Sequence, residues 1–455
     1  MNAHEILVTM NIKLRTGLGI VIVYTAYSTY VQLRTSYDIS ERARKKLYES
    51  DLQAAQKAEW PSTKFSSMMV AGRYVNPFTQ YRAQTVFEFV YCRISELFHA
   101  KPRAGVPSDP AVLKKLLPVC EPDFELLYQN TKDYVLGGKS SALSLPSLSM
   151  AADGERTPSL IPSIKERMTL TWLGQSCAFV QVPGINILTD PCFGSHLLSE
   201  YVGPRRLVDS PCQIEDLPSI DLVLVSHDHP DHLELESCSK VEKNASWVVP
   251  IGVGKHLKKA GVPQANVTEL DWWQKVPVPN TKPEDGWEIA CTPAMHWSGR
   301  TMIDSNTTLW CSFLVLRHGK PIFFHAGDTG YSPDLFQGIK RVFGAGCQLA
   351  MVPCGAYRPR WHLRPQHTDP YEALQIMKDL EAHKLVGVHW GTFILSDEHF
   401  LEPRDKLHEL AKKGHVENDV IAPQFGKTLV FRMDNDSSVP SRKMDVRDGY
   451  SLLMD

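Results

Sequence analysis

Apolar and polar positions follow three regimes along the chain. From Thr16 to Leu33 no residue is charged, and eighteen uncharged residues just suffice for a helix to cross a hydrocarbon core. Its first half is apolar (Ile20, Val21, Ile22, Val23), whereas Tyr24, Thr25, Tyr27, Ser28, Thr29 and Tyr30 make the second half polar. Tyrosines at one end suit a membrane–water interface. Residues 1–34 therefore read as an apolar segment acting as a membrane anchor, against a buried or amphipathic helix or a cleaved presequence. Arg34, Arg42, Arg44, Lys45 and Lys46 outweigh Lys13 and Arg15, which predicts the C-terminal bulk on the cytosolic or matrix-like side. Residues 35–137 form a mixed, partly helical extension, with a helical patch at Thr85–Phe98. Residues 138–165 shift to Ser, Pro, Ala and Gly and read as a flexible linker.

From 166 to 433 the pattern changes again. Short β-branched runs separated by turn residues predict strands at Thr169–Trp172, Ala178–Val182, Ile185–Leu188 and Leu222–Val225. Longer amphipathic stretches predict helices at Tyr371–Ala382 and Pro403–Lys413. Residues 434–455 form a polar tail. Hydrophobic residues at 43% exclude a wholly disordered chain. A net charge of -2 argues against nucleic acid as the partner. Ten cysteines without a CxxC pair read as reduced thiols, placing the catalytic part in a reducing compartment, on the cytosolic face or in the mitochondrion.

The strongest chemical signal is Ser226-His227-Asp228-His229-Pro230-Asp231-His232, directly after the apolar run Leu222–Val225. Sites in layered α/β folds are built in such loops at strand ends. Imidazole and carboxylate at this spacing suit two adjacent divalent ions, zinc above all; the bland alternative is a chance cluster on a solvated loop. Further ligands stand in similar contexts. His296 follows Thr292-Pro293-Ala294-Met295, Asp328 follows Phe323-Phe324-His325-Ala326-Gly327, and His389 follows Leu385-Val386-Gly387-Val388.

With these residues the chain resembles the metallo-β-lactamase superfamily and, within it, the branch of N-acyl-phosphatidylethanolamine-hydrolysing phospholipases D. The HxHxDH motif marks the superfamily. The branch is marked by Thr171-Trp172-Leu173-Gly174, Leu188-Thr189-Asp190-Pro191, Tyr201-Val202-Gly203-Pro204-Arg205-Arg206, Gly355-Ala356-Tyr357-Arg358-Pro359-Arg360, Gln366-His367-Thr368-Asp369-Pro370 and His389-Trp390-Gly391-Thr392-Phe393, with a weaker echo at Arg73–Phe78. The resemblance implies an α/β fold, a four-layered αβ/βα sandwich with an N-terminal extension. It implies two zinc ions, one held by His227, His229 and His296, the other by Asp231, His232 and His389, with Asp328 bridging. Asp190 would orient a ligand imidazole, or else cap a turn before Pro191. Asp328, Asp231 and His367 would be the catalytic residues, His367 contacting phosphate or leaving group, or else serving the N-terminus of the next helix. The implied reaction is hydrolysis of N-acyl-phosphatidylethanolamine to N-acylethanolamine and phosphatidic acid by a metal-bridging hydroxide, at a membrane surface, with room for a homodimer.

Two positions depart from the branch: Gln175 stands where the family has His, and Pro230 where it has Tyr. Neither is an expected ligand, so they bear on substrate preference. Trp272 and Trp273 are candidates for admitting acyl chains, against simple core packing. Rival readings are a lactonase or other phosphodiesterase on the same fold, or a non-catalytic membrane-tethered lipid-binding scaffold.

Overall fold

The computed structural model describes residues 12–48, 65–82, 103–135, 162–197, 203–301 and 303–433, with 85, 87, 88 and 91 besides. Most of the helical patch expected at Thr85–Phe98, nearly all of the linker and the whole tail lie outside the described residues.

A hairpin of β1 (Met69–Val70) and β2 (Arg73–Tyr74) precedes two mixed sheets of seven strands each. One sheet holds β3 (Arg167–Gly174), β4 (Cys177–Val182), β5 (Ile185–Thr189), β6 (Leu222–Leu224), β7 (Ser246–Pro250) and β8 (Val267–Leu270). The other holds β9 (Lys275–Pro277), β10 (Trp287–Thr292), β11 (Ser312–Arg317), β12 (Lys320–His325), β13 (Leu349–Pro353), β14 (Lys384–Val388) and β15 (Val420–Ile421). The last strand, β16 (Thr428–Arg432), returns to pair antiparallel with β3. In each sheet an antiparallel meander passes into parallel strands, at β5–β6 and at β12–β13. Parallel pairing needs crossovers, and the loops leaving the parallel strands β6, β12 and β14 carry most of the functional residues, with His296 following the antiparallel β10.

The four expected strands form, β3 extending to Arg167 and Gly174 beyond its expected ends. The two helices form at Pro370–Asp379 and Glu402–Lys413. Period-two alternation explains the layers. Leu222 and Leu224 share a buried cluster with Phe313 and Phe323 of the other sheet. Val223 and Val225 point the other way, into a cluster with Leu127, Ile214 and Leu257. On the second sheet, Phe336, Leu374 and Leu407 of the covering helices join the core. The layered sandwich is thus reached because both faces of the sheets are apolar.

Phe65, Tyr74, Phe78 and Leu117, from before the linker, belong to the same buried cluster as both sheets. The uncharged N-terminal segment lies in a helix, Ile12–Tyr48, whose Val31 and Ile39 pack on Met68, Val70 and Val75. Leu18, Ile20, Val21, Ile22 and Val23 of that helix are exposed. Among the described residues no helix is long and apolar enough to cross a membrane, because the polar second half of the segment dilutes its apolar first half.

Candidate metal centre

The loop 226–232 leaves β6 between the sheets, and the loops after β10, β12 and β14 bring His296, Asp328 and His389 to the same point. The ligand atoms of His227, His229 and His296 lie within 4.8 Å of one another, as do those of Asp231, His232, Asp328 and His389. Asp328 stands between the groups: its Oδ2 is 3.3 Å from His232 Nε2 and 3.7 Å from His296 Nε2, its Oδ1 3.1 Å from His389 Nε2. All seven residues are buried.

Asp190 serves both groups from beneath. Its Oδ2 accepts from His232 Nδ1 at 2.7 Å and from Ser226 Oγ at 2.8 Å, and its Oδ1 accepts from Ser226 N at 2.7 Å. Ser226 Oγ in turn lies 2.9 Å from His227 Nδ1. The Nδ1 of His296 donates to the Gln366 carbonyl at 2.9 Å. Each of these contacts fixes a tautomer with Nε2 directed at the cluster, as ligating imidazoles require. Of the two readings of Asp190, the orienting one describes its contacts.

The local backbone is held in an uncommon conformation at three of these positions. Asp190, Gln175 and His389 have φ of 38°, 53° and 64°, in the left-handed region, a strain that persists only where surroundings over-determine it. Those surroundings are aromatic. Trp172 stacks on Phe425 at 4.4 Å and packs on Trp390 at 5.1 Å; such pairs add about 0.5–1.5 kcal/mol each beyond their burial. Trp172 Nε1 donates to the Gln175 carbonyl at 2.9 Å, and His389 N donates to the same oxygen at 3.0 Å.

His367 lies beside both groups, its Nδ1 3.8 Å from Asp328 Oδ2. Helix capping falls to its neighbour: Asp369 accepts from Glu372 N at 2.8 Å. Arg360 donates to the His367 carbonyl at 3.1 Å. Trp272 and Trp273 take the packing role. Trp272 contacts Phe78 and Trp310, and Trp273 stacks on Phe343.

Three further residues reach the centre. Gln175, read only as a departure, is buried and donates from Nε2 to Asp231 Oδ2 at 2.7 Å. Asn76 Nδ2 donates to the His296 carbonyl at 2.7 Å, which gives the echo at Arg73–Phe78 its use. His325 Nε2 donates to Asp190 Oδ2 at 2.9 Å. Only the placement of His325 three residues before Asp328, at the end of an apolar run, hints at this in the sequence.

The electrostatics suit cations. Burial, reinforced by the neighbouring imidazoles, holds His227 and His296 well below the ordinary histidine value, so both offer neutral lone pairs at neutral pH. Burial works against the Asp231 and Asp328 carboxylates, yet His232 and, for Asp328, His389 hold them well below the usual range. His229 Nε2 is buried with no hydrogen-bond partner, and Asp328 Oδ1 has none beyond its ion-pair contact with His389 Nε2 at 3.1 Å. Buried polar atoms are rarely left so, and a bound ion would satisfy them.

Residues 185–390 match the β-lactamase superfamily domain. The mitochondrial N-acyl-phosphatidylethanolamine-hydrolyzing phospholipase D of Saccharomyces cerevisiae is 43% identical over 421 residues, 91% of this chain and 87% of its own length. N-acyl-phosphatidylethanolamine-hydrolyzing phospholipase D 1 of Caenorhabditis elegans is 36% identical over 249 residues, 53% of this chain and 68% of its own. Among solved structures, the metallo hydrolase Igni18 of Ignicoccus hospitalis covers 59% of this chain and all of its own at 22% identity, with a TM-score of 0.45.

Proposed function

Because this chain belongs to the N-acyl-phosphatidylethanolamine-hydrolysing phospholipase D family of the β-lactamase superfamily, we propose that it is a metal-dependent phosphodiesterase acting on N-acyl-phosphatidylethanolamine. Water adds to phosphorus, the bond from phosphorus to the ethanolamine oxygen breaks, and N-acylethanolamine and phosphatidic acid result. The observation that carries this reading is the convergence of five imidazoles and two carboxylates, with His229 Nε2 left unpartnered, between the sheets.

The donor set fits two zinc ions: His227, His229 and His296 for one, Asp231, His232 and His389 for the other, Asp328 between them. Zinc bound there supplies the positive charge that lowers the pKa of a water and neutralises charge building on the phosphate. The chain's own contribution is positioning. Asp190 and Ser226 hold His232 and His227, and Gln175 holds Asp231. His367 is left to act on substrate. Burial pushes its imidazole down to about 4, so it is neutral and donates a ring N–H to a phosphate oxygen or to the departing ethanolamine oxygen.

The substrate is a bilayer lipid, and we place the exposed apolar side chains of helix Ile12–Tyr48 against the membrane surface. The mitochondrial name of the yeast relative supports a mitochondrial site of action. Sedimentation of the full-length protein tests the proposed homodimer, and a monomer would overturn it.

The test is release of N-acylethanolamine in mixed micelles by wild-type protein, chelated protein restored with zinc, and Asp328→Asn. Restoration by zinc and loss of at least a thousandfold in Asp328→Asn are expected. Full activity in either the chelated sample or the variant would overturn the reading.

A further inference from the structure

The carboxylate of Asp190 receives four hydrogen bonds, and three come from its own sheet, from His232 and twice from Ser226. The fourth comes from His325, the last residue of β12 in the opposite sheet, at 2.9 Å. His325 is 1% exposed, and its other nitrogen, Nδ1, has no partner. Leaving a buried nitrogen without a partner destabilises the fold. Phe313 stands opposite His325 in the strand register, and packing there would be served as well by an apolar ring, so the imidazole is kept for the bond it makes.

That bond has a specific consequence. His325 and Asp328 share one short turn, Ala326–Gly327, and it is fixed closely: a side chain on Gly327 would meet Ser226 Cβ at 2.5 Å. Anchoring His325 on Asp190 therefore sets the turn carrying Asp328 against the loop carrying His227 and His232. We propose that His325 is a positioning residue of the metal centre, tying the ligands of one sheet to those of the other through Asp190. This rests on the two-ion reading above.

The experiment titrates metal-free full-length protein with zinc against a chromophoric chelator, for wild type, His325→Phe, His325→Gln and His325→Asn. Loss of an outer hydrogen bond of this kind typically costs 10–100-fold in metal affinity. His325→Phe is expected to lose about that factor for at least one ion, and to lower kcat with KM within twofold. The amide of Gln reaches the place of imidazole Nε2, so His325→Gln should recover most of the affinity; the shorter Asn should not. Wild-type affinity in both Phe and Asn variants overturns the proposal, as does a Gln variant no better than Asn. The Gln–Asn contrast stands even if the Phe variant does not fold. Wild-type protein that binds no zinc overturns the two-ion reading itself.

Discussion

Single side chains in the centre divide by what they touch. Asp328 groups with Asp231, His232 and His389 and also with His296 and His367, and of these His367 has an 11% exposed side chain and sits 3.8 Å from Asp328. Replacing it should leave ion binding in place and remove a hydrogen bond to substrate. His367→Ala is expected to retain wild-type zinc content by metal analysis and to lose roughly tenfold or more in kcat, as removal of a hydrogen bond to a charged group does. At this scale the sequence was most legible where ligands are adjacent in the chain. His227, His229, Asp231 and His232 announce themselves by spacing alone. Gln175 and His325 do not, because Gln175 meets Asp231 across 56 residues and His325 meets Asp190 across 135.

Elements aim these side chains through close backbone contacts. Gly355 follows β13, and a Cβ there would lie 2.2 Å from the carbonyl oxygen of His389 after β14. Only glycine permits this approach. Gly355→Ala is expected to lower the thermal midpoint by several degrees and to weaken zinc binding by displacing His389, read by calorimetry on the metal-loaded and metal-free forms. A second element-scale expectation concerns the helix Pro370–Asp379. Burial, with Asp369 beside it, raises the Glu372 carboxyl from 4.5 to about 7 despite Arg360 and Arg364. The folded state therefore holds this proton to higher pH than the unfolded chain. Its stabilising contribution is complete below pH 4.5 and is lost as pH rises through about 7. Thermal midpoints measured from pH 5 to 8 should fall more steeply in wild type than in Glu372→Gln. The four strands expected in the first sheet were readable from β-branched runs between turn residues, and helix Pro370–Asp379 ends before the expected Ala382, helix ends being the least sharply defined part of an element.

Across the whole molecule, residues far apart in the chain share one core. Phe65 and Phe78 stack at 5.1 Å and pack among the sheets, while Asn76 supports His296. We propose that the folded unit includes residues 65–82 together with the hydrolase region from 166 to 433. Removing residues 1–64 should leave micellar activity within a few-fold and reduce co-sedimentation with phospholipid vesicles, since the exposed apolar helix is gone. Removing residues 1–82 should cost the fold, seen as loss of a cooperative thermal transition. What the sequence determined by itself was local: strands from short β-branched runs between turns, a metal-binding loop from ligand spacing, and a family likeness from short motifs. What only the tertiary structure decided was which distant groups meet. The hub at Asp190, the cross-sheet bond from His325, the turn of Gln175 into the centre and the support from Asn76 all follow from packing two sheets face to face, and contacts of that kind leave no periodicity in the chain that makes them.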